Sequence, residues 1–500
     1  MRVLQVSVEV YPLLKTGGLA DVTGALPAAL TQQGCDVRLL LPGLPALRAG
    51  LADLQPFAHY TAPWGERVRV LRGRWCARVG EPLAEREGER AGEHFAYLID
   101  APALYDRPGD PYADAQGRAY ADNHRRFGLL GMLAAALGQG LDSQWQPQIV
   151  HAHDWHAALA PACLHYQRLR SGHGPRSVFT VHNLAYQGVF AAAAFGDLGL
   201  PAQAFQMRGL EFHGQLSFMK AGLQFADRIT TVSPSYSREV LTPEQGCGLD
   251  GLLRERQAVL TGILNGVDGE VWSPAHDPLI DHAYDARRLK PKSANKTALQ
   301  TEMGLAQRPE SLLFGVVGRL TEQKGLQLVL QGLPELVARG GQLVVLGSGD
   351  AGLVEAFSQA ARDHPESVAL FAGYDEPRSH RVFAGSDVML VPSRFEPCGL
   401  TPLYALAYGS LPLVHRVGGL ADTVVDCALE NLADDSATGF VFEQFKVADY
   451  AAALRRAFAL RALPVAWRRV QRAAMRQVFD WDTAAGQYLG VYRAALAQAA

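Results

Sequence analysis

The amino-acid sequence predicts an α/β protein made of two doubly wound, largely parallel sheets. Three observations carry this expectation. Short apolar runs alternate with helical stretches across Gly-rich or polar turns, as parallel strands joined by crossover helices do. The rhythm pauses over residues 273–297, rich in Asp, Pro, Lys and Ala, and then restarts. The chain of 500 residues also exceeds one ordinary domain, which calls for two large units or three small ones.

In the first half, residues 2–8, 36–41, 147–152, 176–181 and 228–232 read as strands. Their β-branched and Leu content suits strands covered on both faces. Helical stretches lie between them, as at 19–33 and 155–170, and Gly34 stands where a C-cap glycine belongs. In the second half the strands are expected at 311–317, 342–346, 368–372, 387–391 and 411–414. Residues 273–297 read as the junction between two domains. Residues 80–94, charged and Gly-rich, read as a surface excursion rather than a site. The most apolar segment, 128–139, is shorter than the ~18–20 residues of a membrane span and reads as a core helix.

Composition narrows the function classes. Lys+Arg number 47 against 50 Asp+Glu, a net charge of −3. That balance gives no reason to expect nucleic acid or another polyanion as partner. Six cysteines at 35, 76, 163, 247, 398 and 427 form no C-x-x-C pair, so reduced thiols are expected rather than a disulfide framework. The start, Met1-Arg2-Val3-Leu4-Gln5-Val6-Ser7, reads as a core strand and not as a signal peptide. The expected location is the cytoplasm, with no membrane partner.

Open parallel sheets bind ligands beyond the carboxyl ends of their strands, and the chemically suggestive residues fall there. Lys15-Thr16-Gly17-Gly18-Leu19-Ala20-Asp21 follows the first strand and opens a helix. Its glycines, helix N-terminus and lysine suit a phosphate; a plain strand-to-helix turn is the alternative. His151-Ala152-His153-Asp154-Trp155-His156 invites a zinc reading, but no second ligand cluster is evident at metal spacing. Contact of His151 and His153 with sugar hydroxyls is the favoured reading. His182 and Asn183 follow a further strand and suit a carbohydrate hydroxyl or a reacting centre; a satisfied core histidine is the alternative. In the second half, Arg319 and Lys324 share one strand-to-helix loop and suit a pyrophosphate, or merely start a solvated helix. Glu396-Pro397-Cys398-Gly399-Leu400-Thr401 places a carboxylate beside a helix start, fit for a sugar hydroxyl and a phosphate or for a simple acidic cap. Cys398 lacks a neighbouring base, which argues against a nucleophilic thiol.

Order and spacing make the set specific. Lys15-Thr-Gly-Gly-Leu, His153-Asp-Trp, Val181-His-Asn-Leu, Leu264-Asn-Gly-Val-Asp268, Arg319 through Gly325, Val391 through Thr401 and Gly418-Gly-Leu-Ala-Asp422 resemble the bacterial glycogen synthase and plant starch synthase family from residue 1 to about 482. The resemblance implies two Rossmann-like domains facing a deep cleft (the GT-B type). It divides the chain into 1–256, 257–480 and a C-terminal helix, 481–500, packed back on the first domain. It implies transfer of glucose from ADP-glucose to the non-reducing end of an α-1,4-glucan such as glycogen, with retention.

Position by position, the resemblance assigns Lys15 and the backbone of Gly17 and Gly18 to the donor's phosphates, and Arg319 and Lys324 to the pyrophosphate. Glu396 and the backbone of Cys398, Gly399 and Leu400 would hold the glucose hydroxyls, and Thr401 the distal phosphate. His182 would sit beside the transferred sugar, with Asp154 and Asn183 nearby and Asp21 lining the donor pocket. Tyr374 would lie against the adenine and Tyr105 on the acceptor side. Domain closure would bring Lys15 and His182 to Arg319 and Glu396. Pro402 stands where relatives often carry glutamine. No cofactor or metal is expected, since cations already face the leaving diphosphate and no Asp-x-Asp pair is placed for a metal. Two rival readings stand beside it: a two-domain glucosyltransferase using UDP-glucose or making trehalose or sucrose, and a catalytically silent glucan-binding protein. A glucan phosphorylase is a weaker reading, because this sequence offers no convincing lysine context for pyridoxal phosphate.

Overall fold

The computed structural model describes residues 1–76 and 93–497. The chain divides into two compact units: Met1–Gly266 with Trp481–Ala500, and Val267–Asp480.

The first unit carries β1 (Arg2–Val6), β2 (Asp36–Pro42), β3 (Ala52–Thr61), β4 (Arg67–Cys76), β5 (Glu93–Asp100), β6 (Ile149–His153), β7 (Arg176–Val181), β8 (Val189–Ala191), β9 (Glu211–Phe212), β10 (Gln215–Ser217), β11 (Arg228–Thr231) and β12 (Leu260–Gly262). Nine of these form one sheet in the order β12-β11-β7-β6-β1-β2-β5-β4-β3; β8, β10 and β9 form a small separate sheet. Pairing is parallel from β12 to β5 and antiparallel across β5-β4-β3. The antiparallel extension was not expected. Its outer strand, β3, is mostly half-exposed, so it lacks the unbroken apolar run that betrays a buried parallel strand. Of the charged segment 80–94, residues 80–92 lie outside the described residues. His94 is a buried strand residue with its ring 5.5 Å from that of Trp75.

Alternation along the central strands loads both faces. Leu4 and Val6 enter one core, while Val3 enters another with Val37, Ile149 and Val178. The second face is covered by the helices Gly18–Gln32 and Trp481–Ala497, whose Val22, Leu26, Tyr488 and Tyr492 share that core. The C-terminal helix therefore packs within the first unit. Gly34 takes φ +87° just past the first helix, the left-handed conformation that favours glycine there.

The second unit carries β13 (Leu313–Val317), β14 (Gln342–Gly347), β15 (Val368–Ala372), β16 (Val388–Val391), β17 (Leu411–His415) and β18 (Phe440–Phe442), in the order β15-β14-β13-β16-β17-β18. Every pair is parallel. Leu343 and Val345 face one core, Val344 and Leu346 the other. Residues 273–297 do not behave as a linker. They lie inside this unit, where Tyr284 is buried and donates its hydroxyl to Tyr408 O at 2.7 Å. Pro and Asp content there mimics a linker, but the buried aromatic side chain anchors the segment.

Both sheets are doubly wound, and each has one switch point where successive crossovers leave in opposite directions. It falls between β1 and β6 in the first unit and between β13 and β16 in the second. Crevices at such points take ligands. Among the described residues no helix is long and apolar enough to cross a membrane.

Candidate active site

In the first unit, β1 delivers the chain to the switch point at Ser7, and the helix begins at Gly18. Between them lies the Lys15 loop. Lys15 Nζ is 2.9 Å from Asp21 Oδ1 and 5.3 Å from the Tyr11 ring centre. Beneath the loop sits Glu9, 3% exposed. Its Oε2 accepts from Thr16 N at 2.6 Å and Gly17 N at 3.3 Å, and its Oε1 accepts from Thr16 Oγ1 at 2.5 Å and from the Tyr112 hydroxyl. Burial and the adjoining Glu9 charge push the Tyr112 hydroxyl well above its usual pKa.

Across the switch point, β6 ends in the histidine cluster. His151 is fully buried, with Nδ1 2.8 Å from the Tyr492 hydroxyl and Nε2 2.6 Å from Thr180 Oγ1. Both ring nitrogens are spent inside the core, so the sugar-contact reading of His151 is corrected to a satisfied core histidine. His153, also buried, has Nδ1 3.1 Å from Nε2 of His182, which is partly exposed at the end of β7. Burial lowers all of these imidazoles: His151, His156 and His182 to about 3, and His153 well below its usual value. His182 is therefore a neutral hydrogen-bonding group, not a cation, at neutral pH. Among the described residues no group of three or more His, Cys, Asp or Glu is placed to hold a metal ion.

Asp154 follows at φ +59°, a left-handed conformation uncommon for a side chain of this size. Burial pushes its carboxyl up to about 7, against hydrogen bonds from the backbone of Asn183 and His182 that favour the anion. Asp154 thus ties the end of β6 to the turn after β7. Asn183 Oδ1 accepts from Ala185 N at 3.1 Å, which shapes that turn. Tyr105 is withdrawn from the acceptor side. It is 1% exposed, and its hydroxyl donates to Arg126 O at 2.6 Å within the core.

In the second unit, the loop after β13 begins at Gly318, φ +144°, and presents Arg319 to solvent. Arg319 makes no ion pair among the described residues. Lys324 ends a short 3-10 turn on the same loop. Its Nζ donates at 2.6 Å to Glu396 Oε2, which also accepts from Ser393 Oγ at 2.8 Å. Glu396 is 7% exposed on the loop after β16. The switch point therefore brings together one residue from each of its two flanking strands' loops. Gly399 takes φ +84° at the start of the helix Leu400–Ala407, and a Cβ on Gly419 would stand 2.1 Å from Cys398 O. These glycines let the Gly418 loop close on the Cys398–Leu400 backbone. Thr401 is partly exposed and Pro402 buried, both in the first helical turn, where proline displaces no helical hydrogen bond. Tyr374 lies just past β15, 70% exposed, its hydroxyl donating to the Glu376 carboxylate.

Three participants were missed from sequence. Ser393 lies inside the Val391–Thr401 string but carries no distinguishing spacing. Glu9 stands as a lone acid at the exit of a buried strand, which is a usable signal. Tyr112 offers none.

Two doubly wound units with cationic and glycine-bearing loops at their switch points define a two-domain glycosyltransferase. Residues 2–255 match the starch synthase catalytic domain family, and residues 304–473 match glycosyl transferases group 1. The chain is 60% identical to a glycogen synthase of Variovorax paradoxus over 100% of both chains. It is 56% identical to one of Yersinia pestis over 99% of this chain and 100% of that one. Its structure is similar to the catalytic domain of starch synthase IV from Arabidopsis thaliana bound to ADP and acarbose. The TM-score there is 0.87, with 30% identity over 99% of each chain. The chain belongs to the glycogen and starch synthase family.

Proposed function

We propose that this protein is a glycogen synthase that moves glucose from ADP-glucose to the non-reducing end of an α-1,4-glucan with retention of configuration. The observation that carries the reading is the Lys324–Glu396–Ser393 cluster at the switch point of the second sheet. It pairs a phosphate-competent cation with a carboxylate able to accept from sugar hydroxyls. The ADP recorded in the Arabidopsis structure supports the nucleotide half of the reading.

As the bond between glucose C1 and the distal phosphate breaks, negative charge grows on the phosphate. Lys15, Arg319, Lys324 and the helix start at Leu400 supply compensation there. Glu396 and the Cys398–Leu400 backbone hold the sugar, and Thr401 bonds the phosphate. Tyr374 offers an exposed ring for the base. His182, neutral, offers hydrogen bonds to the glucose without adding positive charge beside a developing oxocarbenium ion. No side chain is cast as a covalent nucleophile. The acceptor's 4-oxygen attacks on the face that ADP leaves, and its proton passes to the departing phosphate. With these cations the scheme needs no metal or cofactor. Nucleic acid and membrane have no part in it, and the cytoplasm is the proposed location.

The test is ADP release from ADP-glucose with added glycogen, beside UDP-glucose, for wild type and Lys15→Ala. Glycogen-dependent release that favours ADP-glucose and collapses in the variant is the expected result. Turnover with UDP-glucose alone changes the donor. Glycogen binding without turnover of either donor turns the reading to a silent glucan-binding protein. A trapped glucosyl-enzyme would overturn the same-face step.

A further inference from the structure

Glu9 has no part in the transfer scheme, yet its buried carboxylate accepts four hydrogen bonds near the first unit's switch point. Buried carboxylates need donors, and Glu9 draws three of its four from one short loop: Thr16 N, Thr16 Oγ1 and Gly17 N. The fourth is the hydroxyl of Tyr112, 103 positions away. The main chain of Glu9 adds a further tie, its carbonyl accepting from Thr23 Oγ1 at 2.6 Å on the helix that follows.

The amides of Thr16 and Gly17 stand where a helix N-terminus would meet an anion, but the protein's own carboxylate holds them. A phosphate therefore does not recruit those two amides. What the loop offers is the Lys15 ammonium, steered by Asp21 and the Tyr11 ring, and amides further into the helix.

We propose that Glu9 is the positioning residue of the Lys15 loop: it fixes the Thr16–Gly17 backbone from below so that Lys15 and the helix start are preset for the donor's phosphates. Glu9 touches no reacting atom and acts through the loop. The inference rests on the donor reading above. Its energetic sense is preorganisation, because a misplacement of about 1 Å can cost on the order of a hundredfold in rate.

Full-length Glu9→Ala, Glu9→Asp and Glu9→Gln test it with two readouts. The first is amide hydrogen exchange across residues 13–20, which needs no activity. Ala removes every acceptor, and Asp draws the carboxylate back by one methylene. Both are expected to speed exchange at Thr16 and Gly17 by about tenfold or more. Gln keeps one oxygen for the two amides, and its NH2 can donate to the hydroxyl oxygens of Thr16 and Tyr112. Exchange and turnover in Glu9→Gln should therefore stay close to wild type. The second readout is ADP release. Glu9→Ala, or Glu9→Asp if Ala does not fold, should lower kcat at least as much as it raises KM for ADP-glucose, because Lys15 acts on charge that grows as the bond breaks. Combined with Lys15→Ala it should add less than about threefold to the loss from Lys15→Ala alone, because both act through one group.

Unchanged exchange in both Ala and Asp variants overturns the proposal, and so does full additivity with Lys15→Ala. If wild-type protein turns over neither ADP-glucose nor UDP-glucose, the donor reading fails, and the exchange result still decides whether Glu9 holds the loop.

Discussion

The ammonium of Lys324 lies 2.6 Å from Oε2 of Glu396, a carboxylate whose side chain is only 8% exposed. The two residues come from loops after neighbouring strands, β13 and β16, so their pairing reports the closure of the switch point itself. Lys324→Ala takes from the Glu396 carboxylate a charged donor and leaves it the neutral Ser393 hydroxyl. Removal of one preorganised charge-stabilising group typically costs about 10²–10³-fold in rate. A loss of kcat/KM of that order, with a lowered melting temperature, is expected. Initial rates of ADP release and thermal unfolding check it, and a loss under threefold would remove Lys324 from the site.

Arg319 makes the opposite case. It is exposed and has no ion pair among the described residues, so nothing in the fold depends on its charge. Arg319→Ala should leave the melting temperature unchanged within about 2 °C, since surface substitutions rarely exceed ±0.5 kcal/mol. It should weaken donor binding by about tenfold or more, the scale of a lost charge-assisted hydrogen bond of ~1.5–3 kcal/mol. Titration with ADP and the KM for ADP-glucose measure this. A stability loss without a binding loss would make Arg319 structural.

Much of this was legible because glycines, cations and carboxylates at strand exits announce themselves by type and spacing. The Lys15, Arg319 and Glu396 loops all fall at carboxyl ends of strands, where the reading set them. What stayed hidden depends on partners far along the chain. His151 and His153 are two positions apart and look alike in sequence. Only Tyr492, 341 residues away, consumes one nitrogen of His151. Tyr105 and Tyr112 are similarly indistinguishable by local pattern, yet one points into the core and the other meets Glu9. The antiparallel strands β3 and β4 lack the dense apolar signal of buried strands, and the junction reading of 273–297 failed because composition does not reveal that Tyr284 is buried.

The roles of His151 and His182 can be separated by experiment. Tyr492→Phe removes the partner of His151 Nδ1 and leaves a buried polar atom unpaired, which costs about 1–3 kcal/mol. Stability should fall while kcat/KM stays within about threefold, the reaction being untouched. His182→Ala also removes the partner of the buried His153 Nδ1 and should lower stability by a similar amount, but with a loss of about a hundredfold or more in kcat, on the scale of a positioned group at the reacting centre. Parallel melting curves and kinetics decide it. An activity loss in Tyr492→Phe that matches His182→Ala would return His151 to the site.

The same cluster sets the acid limit of the fold. Burial lowers His151, His156 and His182 from the ordinary 6.5 to about 3, and His153 well below it. Between those values the unfolded chain binds protons that the folded chain refuses, so stability rises with pH from about 3 to 6.5 and is lost as pH falls through that window. Asp154 works against this. Its carboxyl is raised from 3.8 to about 7, so its own contribution weakens as pH rises between those values. Four histidines outweigh one aspartate, and the melting temperature should fall by at least about 5 °C between pH 7 and pH 5. Asp154→Asn should steepen that fall by removing the opposing group. Calorimetry of wild type and Asp154→Asn at pH 5, 6, 7 and 8 is the measurement. A flat profile in both would mean that the imidazoles take up protons in the folded protein over the same pH range as in the unfolded chain.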